Sequence, residues 1–213
     1  MKYEIKVFSN ISDNGDNELF PVPLRSILIG SSGCGKTTLL GNIIYERWVP
    51  YKYLYIFSKS REQSFYKNLE NDFRIIERET GEDILTMTDT IIPIDECNEK
   101  SLVVFDDFML ESQSLIKDYF VRGRHKNISC IYLAQCFTKV DIQTIRSNAN
   151  FIVVFKQMKH YADMIYNDYL ASTMPKRTYD DACRQCWSNN YGFMTIKLDP
   201  KCHVFQNFTK RLV

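Results

Sequence analysis

No apolar run in this 213-residue chain approaches the roughly 18 residues that a membrane-spanning helix needs. The opening residues Met1-Lys2-Tyr3-Glu4-Ile5 lack the charged-then-apolar layout of a signal peptide. The expectation is therefore a soluble chain of cytosolic type. Internal repeats and low-complexity tracts are missing too, so the organisation has to be read from periodicity. A strong charge of either sign is also missing, the formal net charge being +1. That balance hides an asymmetry: residues 1–100 carry 12 Lys/Arg against 16 Asp/Glu, and residues 101–213 carry 15 against 10. The second half is a candidate polyanion-facing side, with ordinary solvated surface as the plain alternative.

Seven cysteines, an odd number, fit a reducing compartment better than a disulfide framework. Most are expected to be small buried apolar groups. Cys183, Cys186, Cys202 and His203 have the composition of a zinc site. Adjacent Cys202 and His203 would face opposite ways on a strand, however, which is poor ligand geometry.

The feature that is present and decides most is Ile27-Leu28-Ile29-Gly30-Ser31-Ser32-Gly33-Cys34-Gly35-Lys36-Thr37-Thr38, which fits G-x-x-x-x-G-K-[ST] from Gly30 to Thr37. An apolar strand precedes it and an apolar helix start, Leu39-Leu40, follows. In that context glycines let consecutive backbone N–H groups face a phosphate. Lys36 reaches the β/γ oxygens, and the Thr37 hydroxyl can ligate Mg²⁺. Residues Gly30 to Thr38 are thus the expected cradle of a nucleoside triphosphate. The guanine-reading Asn-Lys-x-Asp is absent, so ATP is the expected nucleotide.

Leu102-Val103-Val104-Phe105-Asp106-Asp107-Phe108 is an apolar strand ending in two carboxylates. Asp106 is expected to bind the magnesium through water beside Thr37, and Asp107 to polarise the attacking water as general base. A helix cap is the plain alternative for such a pair. Ser129 to Gln135 is a further apolar strand closed by an amide, which can donate to and accept from a γ-phosphate or its attacking water. Before it, Arg122-Gly123-Arg124-His125-Lys126 is a basic turn suited to a neighbouring subunit's phosphate, to DNA, or to a helix C-terminus.

Strands at 3–8, 26–29, 53–57, 102–105, 130–134, 151–155 and 191–197 alternate with helices at 37–48, 62–69, 112–123, 141–148, 161–170 and 179–187. Ile75-Ile76 reads as a short extended segment before an acidic loop at 77–83. This alternation implies an α/β fold, a mostly parallel sheet with helices on both faces. At 25.1 kDa it is read as one domain, with an N-terminal edge strand within 1–20, a core over 21–160 and C-terminal helices and a late strand over 161–213.

In order, GSSGCGKTT, LVVFDDF, VRGRHKNISCIYLAQCF and IRSNANFIVVFK resemble the genome-packaging ATPases of the FtsK–HerA superfamily, in the poxvirus-like branch found in large DNA viruses, virophages and Polinton-like elements. The likeness runs over about residues 24–157, with a weaker echo in Tyr191 to Ile196. The resemblance implies a RecA-like, ASCE-type P-loop core in which the Gln135 strand lies between the phosphate-loop strand and the Asp106 strand. It implies a homo-oligomeric ring, pentamer or hexamer, moving double-stranded DNA into a preformed capsid or portal vertex, in a cytoplasmic virus factory or the virion. By similarity, Arg124 is the trans-acting arginine finger, Gln135 the γ-phosphate sensor, and Arg146 a characteristic residue of the branch. The competing readings are a nucleoside or nucleotide kinase, for which no arginine-rich lid is evident, and a nucleotide-switched assembly component.

Overall fold

The apolar runs fold as strands whose alternate residues enter two separate cores. In the computed structural model, which describes residues 19–198 and 201–212, β1 (Arg25–Ile29), β2 (Tyr53–Ser58), β3 (Leu85–Thr88), β4 (Ser101–Asp106), β5 (Ser129–Ala134) and β6 (Phe151–Phe155) run parallel. The sheet continues antiparallel through β7 (Phe193–Lys197), β8 (His203–Gln206) and β9 (Lys210–Arg211). The strand order is β3-β2-β4-β5-β1-β6-β7-β8-β9. The expected strand at 3–8 lies outside the described residues.

Because side chains alternate across a strand, Leu28, Ile56, Val104, Leu133 and Val153 join one core, while Ile27, Phe57, Phe105, Tyr132 and Ile152 join the other. Helices α1 (Lys36–Tyr45) and α2 (Ser64–Thr80) cover the first face with Leu40, Ile44, Tyr66, Leu69 and Phe73. Helices α3 (Ser114–Arg122), α4 (Lys159–Ile165) and α5 (Lys176–Cys186) cover the second with Ile116, Tyr119, Ile165 and Tyr179. Burial on both faces is why these strands read as continuous apolar runs. No helix among the described residues is long and apolar enough to cross a membrane.

Two local expectations are corrected. Ile75 and Ile76 are not extended but lie in α2, on its outer side, since Tyr66, Leu69 and Phe73 take the buried positions at spacings of three and four. The residues read as the start of an acidic loop finish the same helix, which Gly81 closes at φ 73°. Glu77 then accepts from the backbone N–H groups of Ile84 (2.8 Å) and Leu85 (2.7 Å), fastening the start of β3, a strand the sequence pattern did not reveal. Strands β8 and β9 also escaped the pattern, β8 being four residues with one buried and β9 two exposed residues.

The strand order decides where chemistry can occur. β5 pairs in parallel with both β1 and β4, so it separates the phosphate-loop strand from the Asp106 strand as the resemblance implied. Registers Ile29↔Ala134, Asp106↔Leu133 and Ser58↔Asp106 bring the C-terminal ends of four strands to one edge.

Candidate nucleotide-hydrolysis site

The loop between β1 and α1 turns on glycines that other residues could not replace without strain: Gly33 has φ 74° and Gly35 φ 107°. Gly30 is confined by contact, since a Cβ there would lie 2.8 Å from Phe155 Cβ. The chain then enters α1, whose first turn holds no acidic residue to compete for an anion. Lys36 is 8% exposed, and its ammonium donates to the Gly30 (2.6 Å) and Ser31 (2.9 Å) carbonyls. Among the described residues no carboxylate forms an ion pair with it. Lys36 also reaches Cys34 Sγ at 3.8 Å, and a buried cation held by carbonyls and a thiol is completed electrostatically by an anion seated in the same loop. Ser31, Ser32 and Thr38 are exposed, and Cys34 and Thr37 half-buried, at the loop's rim.

Asp106 ends β4, and Asp107 takes a left-handed backbone, φ 65°, rare for a side-chain-bearing residue. Their carboxylates are held by residues the sequence reading missed. Asp106 Oδ2 accepts from the Tyr66 hydroxyl (2.6 Å) and from Ser58 Oγ (3.5 Å), and Asp107 Oδ2 from Ser60 Oγ (2.8 Å). Asp106 Oδ1 has no hydrogen bond among the described residues. The signal for Ser58 and Ser60 was available only as hydroxyls at the end of a strand, and only the pairing of β2 with β4 gives them meaning. A spare carboxylate oxygen and a threonine hydroxyl are the hard donors that suit Mg²⁺.

Gln135 follows β5 at the same edge and is exposed. Its backbone N–H donates to Met109 Sδ (3.1 Å), tying the segment after the acid pair to the segment after the amide strand. A second tie lies nearby: the Gln113 side chain donates to the Lys139 carbonyl (2.7 Å) and accepts from the Asp141 N–H (3.1 Å).

A family model described as the poxvirus A32 protein matches residues 13–176. This chain belongs to that family. The sequence resemblance to the poxvirus-like branch is thereby borne out. No protein of curated function matches the chain. Among solved structures, the genome packaging NTPase B204 from Sulfolobus turreted icosahedral virus 2 is similar in several complexes. With sulfate it shows TM-score 0.56 at 11% identity, covering 85% of this chain and 96% of that one. With AMPPCP it shows 0.55 at 12%, covering 85% and 97%. With ATP-gammaS it shows 0.54 at 10%, covering 84% and 95%. At such identity the likeness shows a shared P-loop ATPase fold.

In this member of the poxvirus A32 family the remaining residues of interest separate by location. Arg124 lies in the turn Gly123–Lys126 that precedes β5, at the sheet edge opposite the phosphate loop. The six residues of β5 put about 20 Å between those edges at ~3.3 Å per residue, so Arg124 cannot serve its own loop. Asp95 engages both neighbours, Arg122 (2.8 Å) and Lys126 (2.9 Å), whereas Arg124 is exposed and has no ion pair among the described residues. Arg146 is 6% exposed, bonded to Asp168 (2.9 Å) and stacked over the Phe137 ring (4.2 Å), which makes it a structural residue. Cys183 and Cys186 are buried in α5, and burial pushes their thiols up to about 11 and about 12. Among the described residues no group of three or more His, Cys, Asp or Glu converges on a metal position.

Burial raises the Asp106 carboxyl above the ordinary carboxylate range. The Tyr66 hydrogen bond opposes this, the Asp107 charge adds to it, and the Lys36 charge lowers it again. Only the ionised form can take a divalent cation, and that form is lost as pH falls through the raised pKa. The acid limb of kcat/KM for ATP hydrolysis is therefore expected above the pH of an ordinary aspartate. Tyr66→Phe removes a bond that favours the charged form, so its limb is expected at higher pH than the parent's. Full pH–rate profiles of the two proteins check this, and coincident limbs would show that Asp106 is not the titrating group.

Proposed function

We infer that this chain is the subunit of an ATP-hydrolysing motor that translocates double-stranded viral DNA into a preformed capsid. The observation that carries the reading is the meeting, at one edge of the sheet, of the phosphate loop, the Asp106–Asp107 pair and Gln135, in a member of the poxvirus A32 family. The similar B204 structures, described as a genome packaging NTPase, support it.

In this reading the loop Gly30–Thr38 cradles the triphosphate and Lys36 neutralises its β/γ oxygens. Thr37 and Asp106 would hold Mg²⁺, which supplies further positive charge to those oxygens. Asp107 accepts the proton of the attacking water, in an orientation set by its bond to Ser60. Gln135 contacts the γ-phosphate or that water, and its loss of contact after hydrolysis is felt at Met109 through the backbone tie. Arg124 of one subunit completes the site of the next, which requires a ring, pentameric or hexameric. The chain acts as one ATPase unit at a capsid or portal vertex, in the cytoplasmic virus factory or the virion. Lys139 and Lys156, exposed in segments leaving β5 and β6 at the catalytic edge, are candidate DNA contacts. Lys159, also exposed, is paired with Asp163.

Measuring ATP turnover with and without double-stranded DNA, alongside mass by light scattering, tests motor, substrate and ring together. Turnover that ignores DNA in a protein that remains monomeric would sink the reading. DNA affinity is expected to be indifferent to sequence and to fall steeply with salt, because a translocase must hold every sequence and phosphates are what all share. Titrations of unrelated duplexes at 50 and 200 mM salt check it. A single preferred sequence with little salt loss would point to a site-specific regulator.

A further inference from the structure

The groups already described fix the direction of the nucleotide. Its γ end must point from β1 toward β5 and β4, where Gln135, Asp106 and Asp107 lie. The nucleoside end must leave on the opposite side, over β6 and β7. At that place Tyr191 stands against the loop: a Cβ on Gly35 would lie 3.4 Å from Tyr191 Cδ1 and 3.7 Å from its Cβ.

Tyr191 has two properties that a purely structural aromatic does not need. It is 52% exposed although it adjoins the buried pair Phe155 and Phe193, whose rings are 5.3 Å apart. Its backbone is left-handed at φ 63°, a conformation that costs a bulky residue and persists only where its surroundings impose it. Those surroundings are present. The Gly192 N–H donates to the Asn189 carbonyl (3.1 Å), and a side chain at Gly192 would collide with the Cys186 carbonyl. The Phe193 N–H donates to Asn207 Oδ1 (3.1 Å) and the Trp187 indole to the Val154 carbonyl (3.1 Å). The antiparallel pair Phe155↔Phe193 also brings the segment leaving β6 to the same edge, with Met158 69% exposed.

We propose that Tyr191 stacks on the base of the bound nucleoside triphosphate, with Met158 on the apolar rim of the same subsite. The proposal rests on the reading of Gly30–Thr38 as a nucleotide cradle and deepens it. An exposed ring held beside the point where the nucleoside leaves the loop offers a π-face to the base. Stacking contributes affinity without contacting the reacting phosphates.

The test separates base from phosphate. Calorimetric titrations of ATP and of inorganic tripolyphosphate, each with Mg²⁺, are made on the parent, Tyr191→Ala, Tyr191→Phe and Lys36→Ala proteins. Tyr191→Ala is expected to weaken ATP about tenfold, the order of one lost base–aromatic stack, and to leave tripolyphosphate unchanged. Tyr191→Phe should bind both as the parent does. If Tyr191→Ala binds ATP as tightly as the parent, or loses ATP and tripolyphosphate by the same factor, Tyr191 is not a base platform. If the parent binds neither ligand and Lys36→Ala changes nothing, the nucleotide cradle itself is wrong, a result distinct from the other two.

Discussion

Lys36→Ala is expected to abolish nucleotide binding, whereas Asp107→Asn should bind ATP near parent affinity and lose turnover by about 10²- to 10⁴-fold, the range for removing a general base. The difference follows from location. The Lys36 ammonium is buried and held by the Gly30 and Ser31 carbonyls, so its charge is fixed inside the cradle and alanine leaves no cation there. Asparagine at 107 keeps the shape and can still bond with Ser60, but it cannot accept a proton from water. Equilibrium binding of a fluorescent ATP analogue and steady-state phosphate release separate the two effects. Asp107→Asn turnover near the parent rate would mean that another group, Asp106 first, deprotonates the water. Ser60→Ala is a useful companion, since it leaves the carboxylate in place and removes only its hydroxyl partner.

Arg124→Ala is expected to lower turnover on the order of 10³-fold, as trans-acting arginines do in related phosphoryl transfers, with its own subunit's nucleotide affinity nearly intact. The turn that bears it lies at the edge of the sheet away from its own phosphate loop. Nearby Arg122 is already committed to Asp95 and Arg146 is buried on Asp168. A planar guanidinium without an ion pair among the described residues, on an exposed turn, is suited to entering a neighbour's site, and lysine would replace its fork poorly. Geometry then makes complementation the decisive experiment. Arg124→Ala and Lys36→Ala proteins, each inactive alone, should recover part of the activity when mixed with DNA present. In mixed rings some interfaces pair an intact Arg124 with an intact Lys36. If subunit exchange is verified and no ratio restores phosphate release, Arg124 is not a trans finger. Arg122, the other exposed arginine of the turn, is then the next residue to replace.

How much was legible follows from how local each feature is. The phosphate loop is a run of consecutive residues whose glycines, lysine and threonine would act on one ligand in the proposed reading, so its spacing alone carries the expected chemistry. The strands under it were legible because burial on both faces demands unbroken apolar runs. The α2 boundary failed for the converse reason: Ile75 and Ile76 are apolar but exposed, and apolar residues on an outer helix face imitate a short strand. β3, β8 and β9 failed because strands of two to four residues with at most one buried position have too little pattern to separate them from a loop.

By itself, then, the sequence determined the proposed cradle at Gly30–Thr38, the acid pair at Asp106–Asp107, the amide at Gln135 and the α/β architecture, all set by contiguous residues and their local periodicity. Only the tertiary structure decided what stands around them. The pairing of β2 with β4 supplied Ser58 and Ser60, and the packing of α2 supplied Tyr66, so a bond that opposes the effect of burial on Asp106 comes from 40 residues away in the chain. The polarity of β5 put Arg124 at the far edge, and the packing of β7 against β6 set Tyr191 beside the loop. These are meetings between distant segments, fixed by which buried faces fit together, and no spacing within either segment encodes them.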